Sequence, residues 1–314
     1  MVAEASEALS QFDAASALPP SSLIIASRDR PDLLMETVQS VLQGEEVPAE
    51  LVIVDQSDVI HPQLPAFVSS RNCPIHYVWT DSRGLCRAMN EGIATAHHDL
   101  LVFTHDDVLV TPHWFGTLVR ALLTAGSCAV VTGQVRPNDE VPGGFQSAIK
   151  VDPEPAVYQG RVGEDVLMPM NMAMRRSTVQ QVGSFDVRFG PGTALPAAED
   201  NDLGFRLLEM GYRIVYVPEA LVFHRAWRTE RDLLSLRWSY GTGQGAFYVK
   251  HLRTRDPYML GRMWEDIWRH LRRVPFELVG HNRPAAEQDI VYVSGILYGA
   301  IRWQLTQRAS RPFP

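Results

Sequence analysis

The sequence predicts an α/β fold, a mostly parallel sheet flanked by helices, with a helical C-terminal extension. Three observations predict it: short apolar runs alternate with amphipathic segments from Ser22 onward, acidic or polar residues close several of those runs, and from Thr229 to the end the pattern is helical. Leu23-Ile24-Ile25-Ala26 reads as a buried strand. Pro31 opens a helix to about Leu42, with Leu34, Val38 and Val41 on one face. Leu51 to Val54 is a second strand ending at Asp55, Ile75 to Trp79 a third, and Gly84 to Ala96 a helix. Leu100 to Phe103 gives a fourth strand, Trp114 to Leu123 a helix and Ala129 to Val135 a fifth strand. A βαβα order of this kind requires parallel strands with helices on both faces.

Asn138 to Glu164 breaks the rhythm with Pro, Gly and acids, and reads as a long surface excursion. An apolar strand is expected near Val166 to Met174, and Phe189 to Ala198 forms a second loop rich in Gly and Pro. Glu199-Asp200-Asn201-Asp202 opens a helix to Met210 that stops at Gly211. Ile214 to Val217 is a strand closed by Pro218, and His224 follows the apolar run Leu221-Val222-Phe223. The organisation expected is a loose tail over 1–20, a main α/β domain over 21–228 and a helical extension over 229–314.

Composition narrows the class. The 314 residues carry a net charge of −7, which argues against a general nucleic-acid binder. Cys73, Cys86 and Cys128 share no metal-ligand spacing and fit a reduced, cytoplasmic setting. The first residues lack a basic leader, and no apolar run approaches the roughly 20 residues that span a bilayer.

The chemistry concentrates in Phe103-Thr104-His105-Asp106-Asp107. Paired aspartates at the carboxyl end of a strand put hard oxygen ligands at the mouth of an α/β sheet. Asp55 ends its strand on the same edge. Taken alone, the pair reads equally as a strand-end turn.

The ordered set of blocks resembles the family 2 glycosyltransferases, inverting enzymes of the GT-A fold that use nucleotide-sugars. The blocks are Ser27-Arg28-Asp29-Arg30-Pro31, Val54-Asp55-Gln56-Ser57, Arg83 through Gly92, His105-Asp106-Asp107, Asn171 through Arg176 with Val182 to Asp186, and Glu199 through Arg206 continuing to His224. They cover roughly 20 to 250. The resemblance implies a GT-A nucleotide-diphospho-sugar transferase fold, a Mn²⁺ or Mg²⁺ ion, and a UDP-sugar as first choice of donor. It implies Asp107 and His224 as metal ligands, Asp106 near the ribose, and Asp55 accepting from the base. Arg28, Arg83 and Asn90 are implied donor contacts, although Asn90 reads equally as a buried amide tying strand ends. Asp200 is the implied general base, taking the proton of the acceptor hydroxyl, with Glu199 orienting it or the sugar hydroxyls. A helix N-terminus favours an ionised carboxylate there, and acidic capping is the structural alternative. Asp202 is expected to cap or to pair with Arg206. Arg225 and Arg228 read as diphosphate donors or as surface charges, and Asp29 and Arg30 as a local ion pair.

Arg237 to Gly245 departs from processive polysaccharide synthases, which carry glutamine where Leu234 stands, so transfer of a single sugar is expected. Its glycines suit a loop near the diphosphate or a turn between helices. Leu260, Met263, Trp264, Ile267, Trp268 and Leu271 form a stripe among Arg262, Arg269, Arg272 and Arg273, fitted to packing on the catalytic domain or to a peripheral position on the inner membrane face. Ile290, Val293, Leu297, Ile301 and Leu305 form another, where Gly295 and Gly299 suit close helix contact, including a homodimer. The acceptor, whether glycan, lipid-linked or small molecule, is not specified. Two rivals are a nucleotidyltransferase, disfavoured by the lack of a Gly-rich, lysine-bearing phosphate loop, and a non-catalytic sugar-nucleotide-binding subunit.

Overall fold

The computed structural model describes residues 17–67, 71–138, 144–145, 148–225, 228–253 and 255–309. The tail expected over 1–20 therefore lies, up to residue 16, outside the described residues. Two compact units are present: residues 1–185 with 203–227, and residues 186–202 with 228–314.

In the first unit, β1 (Ser21–Ser27) is buried along its whole length and runs parallel to both neighbours, β2 (Glu50–Asp55) and β4 (Leu100–His105). β3 (Ile75–Trp79) extends the parallel run beyond β2. β9 (Asn171–Arg175) enters between β4 and β6 (Ala129–Asn138), antiparallel to each, and β6 then runs parallel to β10 (Arg213–Arg225). β5 (Val108–Val110) and β8 (Ala156–Tyr158) pair antiparallel with β10. β1, β2, β3, β4, β6 and β10 thus share one direction, which carries Ser27, Asp55, His105 and His224 to a common edge.

Three details differ from the sequence reading. Pro218 does not close its strand: β10 continues to Arg225 across a register shift between Val217 and Leu221. A bulge absorbs the missing proline donor, so His224 lies on the same strand as Ile214. The strand expected from Val166 begins only at Asn171. The excursion after Asn138 is tied down where Lys150 bridges Val135 and where β8 joins β10, while the short β7 (Gly144–Phe145) also falls within it. Residues 139–143 and 146–147 lie outside the described set.

The core of this unit has a polar centre. Trp114, in helix Trp114–Ala125, is fully buried and donates its indole N–H to Asn171 Oδ1 at 2.8 Å. Asn171 Nδ2 donates in turn to the carbonyls of Gln134 and Ala220 at 2.8 and 2.7 Å. One amide therefore stitches β9, β6 and β10, and every polar atom of that group is satisfied.

The second unit contains β11 (Arg228–Thr229) and helices Leu233–His251, Tyr258–Leu271, Val274–Val279 and Arg283–Ala309. Gly241 to Gly245 is helical, neither a loop nor a turn. A Cβ on Gly241, Gly245 or Gly299 would collide with the carbonyl of Tyr292, Ile296 or Thr242 respectively. Gly295 and Gly299, which suit close helix contact, lie against Trp238, Gly241 and Thr242 of helix Leu233–His251. Helix Tyr258–Leu271 buries Met259 and Ile267 but leaves Leu260, Trp264, Trp268 and Leu271 exposed, so most of its expected packing stripe faces outward. Among the described residues no helix is long and apolar enough to cross a membrane.

Gly245→Val should cost about 1–3 kcal/mol, the usual range for overpacking a filled contact. A lower urea midpoint than wild type, with unchanged helical circular dichroism at zero denaturant, is the expected result.

Candidate active site

The first unit gathers its polar residues in the turn between β4 and β5. Asp106 and Asp107 are both buried, which is costly for adjacent carboxylates unless cations and donors face them. Arg30 supplies the cation: its two terminal nitrogens reach Asp106 Oδ1 at 2.7 Å and Asp107 Oδ2 at 2.8 Å. Ser27, the last residue of β1, donates to Asp106 Oδ2 at 2.7 Å. Beneath the turn, the Thr37 hydroxyl in helix Pro31–Leu42 bonds the carbonyls of Asp106 and Val108 at 2.9 and 2.8 Å. From the far side, the Arg225 amide donates to the Asp107 carbonyl at 2.9 Å, and His224 Nε2 stands 3.6 Å from Asp107 Oδ2.

These contacts split the two aspartates electrostatically. Burial raises Asp106, Arg30 opposes it and the charge of Asp107 adds to it, pushing Asp106 up to about 7. Burial also works against ionisation of Asp107, but the His224 ring and Arg30 outweigh it and hold that carboxyl well below the usual range. His105 is pushed down to about 4, chiefly by burial, against the pull of Asp107. A carboxylate oxygen and an imidazole nitrogen 3.6 Å apart have the spacing and donor chemistry that one small divalent ion accepts. The residues present fit the metal that the family resemblance implies.

Arg30 is the residue that sequence reasoning missed. It was expected to pair with Asp29, yet Asp29 pairs with Arg28 at 3.2 Å instead. Its position directly after β1 was the available signal.

The other expected donor contacts divide. Asp55 is buried at the end of β2, where Oδ1 accepts from the Ser57 amide at 2.9 Å and from the Ser57 hydroxyl, and Oδ2 accepts from Tyr77 at 2.6 Å. Arg28 is exposed on the same strand edge, and Arg83 donates to the Gln56 carbonyl and, at 2.5 Å, to Asp58. Asn90 is not oriented as expected. Its amide clasps the peptide of Phe185, donating to the carbonyl at 2.9 Å and accepting the N–H at 3.0 Å. Half-buried Asn90 thus ties helix Leu85–Thr95 to the segment that follows helix Arg176–Val182, and not two strand ends. The half-buried Arg225 side chain pairs with Glu36, and the Arg228 side chain lies outside the described residues.

Glu199 and Asp200 belong to the second unit, at the start of helix Glu199–Glu209. The preceding Ala198 has φ of +70°, a strained conformation for a residue with a Cβ. That strain is held by the unit itself. Asp202 pairs with Lys250 and accepts from His251 at 2.8 Å, Lys250 also reaches Asp186 at 2.7 Å, and Asn201 donates to Gln244 at 2.6 Å. Asp202 thus has Lys250 and His251 as partners, and the Arg206 guanidinium donates to the carbonyls of Val182, Gly183 and Ser184. Glu199 Oε2 is closed off from solvent with no hydrogen-bond partner. Burial first, and then the charge of Asp200, push Glu199 up to about 8. This raised affinity for its proton suits Glu199 to a donor role.

The parallel sheet, the reversed β9 and the acidic strand-end turn together define a domain of the GT-A glycosyltransferase type. A family profile described as "Glycosyltransferase like family 2" matches residues 19–241, and the chain belongs to that family. It is similar to the pre-mycofactocin glycosyltransferase of Mycobacterium tuberculosis, 26% identical over 76% of this chain, and the chain spans 50% of that relative's length. It is equally similar, at 26% identity over 67% of this chain and 71% of the other, to a glucosyl-dolichyl phosphate glucuronosyltransferase of Haloferax volcanii. Among solved structures, the fold is shared with a mannosyltransferase of Pyrobaculum calidifontis in complex with GDP-Man and Mn²⁺. That match has a TM-score of 0.58, 17% identity, and covers 98% of this chain and 86% of that one.

Because Glu199 is protonated when folded at pH values where a free glutamic acid is ionised, folding binds a proton between about 4.5 and 8. Stability should therefore fall as pH rises through that window. Glu199→Gln should reduce the slope of this part of the profile, leaving the same-sign contribution of Asp106 below about 7, measured as urea midpoints from pH 4.5 to 8.5.

Proposed function

We propose that the chain is a metal-dependent, inverting, non-processive glycosyltransferase that moves one sugar from a nucleoside-diphosphate-sugar, a UDP-sugar first, to an acceptor hydroxyl. The observation that carries this reading is the buried Asp106–Asp107 pair at the strand edge with His224 beside it. Asp107 and His224 would hold Mn²⁺ or Mg²⁺, which when bound supplies positive charge against the departing diphosphate.

The chain's own residues do the remainder. Asp106, fixed by Ser27, is kept for the ribose, and its raised affinity for a proton lets it donate as well as accept. Asp55 takes a base N–H, since a carboxylate has about four acceptor positions and Ser57 and Tyr77 leave room for one more. Arg28 and Arg83 add positive charge along the same edge. Asp200 removes the proton from the attacking acceptor hydroxyl, and protonated Glu199 hydrogen-bonds a sugar oxygen. Attack on the face opposite the leaving diphosphate inverts the anomeric centre.

A lipid-linked acceptor at an anionic membrane surface is the reading best supported for the second substrate. Trp264 and Trp268 are 65% and 53% exposed on helix Tyr258–Leu271, with Arg269, Arg272 and Arg273 exposed around its end. Indole rings beside arginines suit the headgroup region.

Asp107→Ala should abolish Mn²⁺-stimulated donor hydrolysis and transfer. Asp200→Asn should keep donor affinity near wild type and cut turnover by about 10²–10⁴-fold, the usual worth of a positioned base. Full turnover in Asp200→Asn, read by release of nucleoside diphosphate, would remove Asp200 from the mechanism. In flotation assays the Trp264→Ala/Trp268→Ala variant should lose binding to phosphatidylglycerol vesicles that the wild type retains.

A further inference from the structure

The opposite edge of the same sheet carries a second group of donors. Glu50 begins β2, five residues before Asp55, so at ~3.3 Å per residue it lies about 17 Å from the acidic edge. Its carboxylate is buried, and two imidazoles face one of its oxygens: His76 Nε2 at 3.1 Å and His97 Nδ1 at 2.7 Å from Oε2. The three donor atoms lie within 4.8 Å of one another. They come from three chain segments, β2, β3 and the turn after helix Leu85–Thr95.

We propose that Glu50, His76 and His97 form a binding site for a divalent transition ion of the zinc type, separate from the metal of the transfer reaction. Two imidazoles with one carboxylate make the nitrogen-rich set preferred by such ions, where Mg²⁺ and Ca²⁺ prefer oxygen alone. Bonds of about 2.0–2.2 Å around a tetrahedral ion put neighbouring ligands roughly 3.3 Å apart, close to the spacing already present.

The second oxygen of the carboxylate is fixed independently. Oε1 accepts from the Ser22 hydroxyl at 2.5 Å and from the His97 amide at 2.6 Å, leaving Oε2 turned toward the rings. Supporting bonds of this kind orient a ligand before the ion arrives. The side chains of His76 and His97 are 38% and 66% exposed, so an ion enters from solvent and one coordination position stays open to water. A bound ion would pin the 97–98 turn to the starts of β2 and β3, acting as a staple for that end of the sheet.

The test isolates this site from the catalytic one and does not depend on transferase activity. Zn²⁺ binding by the full chain is measured by equilibrium dialysis with elemental analysis in an Asp107→Asn background, then again with His76→Gln, His97→Gln or both added. One equivalent bound in the Asp107→Asn protein, a tenfold or greater rise in Kd with either histidine replaced, and loss of binding with both replaced are the expected results. Zn²⁺ should also raise the unfolding temperature of the wild type, and that shift should vanish in His76→Gln/His97→Gln. Because both rings are at the surface, circular dichroism should show the variants folded. No zinc bound by the Asp107→Asn protein, or equal binding with and without the histidines, would overturn the assignment.

Discussion

Two neighbouring carboxylates are costly to bury side by side unless a cation or a retained proton offsets their repulsion, and Arg30 supplies the cation here. Its guanidinium spans Asp106 and Asp107 with one nitrogen on each, a geometry that a lysine could not reproduce. Much of the surrounding architecture serves this turn. Ser27 fixes Asp106 from β1, Thr37 holds the turn from the helix below, and β10 closes over it with the Arg225 amide and the His224 ring. The acidic edge is thus preorganised, with its repulsion already offset before any ligand arrives. Electrostatic catalysis depends on charges fixed in this way.

The chain uses the same device twice. Asp106–Asp107 and Glu199–Asp200 are adjacent acids, and in each pair burial and the neighbour's charge push one member, Asp106 or Glu199, up. A donor and an acceptor are obtained from two acids by environment alone. In the first pair an arginine and a histidine choose which acid ionises. In the second, no hydrogen bond reaches Glu199 Oε2, and desolvation dominates.

The C-terminal helices acquire a purpose from the second unit taken by itself. Residues 186–202 group with them, and Lys250 joins the two ends of that stretch by pairing with Asp186 and Asp202. The Phe189 ring stacks on Trp303 at 5.4 Å, so the loop before the acidic helix is packed as well as ion-paired. The glycine seam between helices Leu233–His251 and Arg283–Ala309 lets these helices approach closely enough to form that support.

Much of this was legible in the residues. The alternation of apolar runs set the strands: Ile75–Trp79 coincides with its expected bounds, and helix Pro31–Leu42 with its expected span. Buried strands are written as unbroken apolar runs, and parallel order follows from the intervening helices. The adjacency of Asp106 and Asp107 to the end of β4 was likewise a local fact. Pairing was not local. That Arg30 abandons Asp29 for two acids over seventy residues away, that Asn90 clasps Phe185, and that Asp202 turns to Lys250 and His251 depend on which strand and helix ends meet. Pro218 looked like a stop because a proline lacks a donor, yet the sheet accommodated it with a bulge. Sequence by itself determined the elements and where charge would accumulate, since periodicity and strand-end position are properties of neighbouring residues. Tertiary structure alone decided the partners of each charge, because burial and pairing over long separations fix them, and neither is written in any single segment.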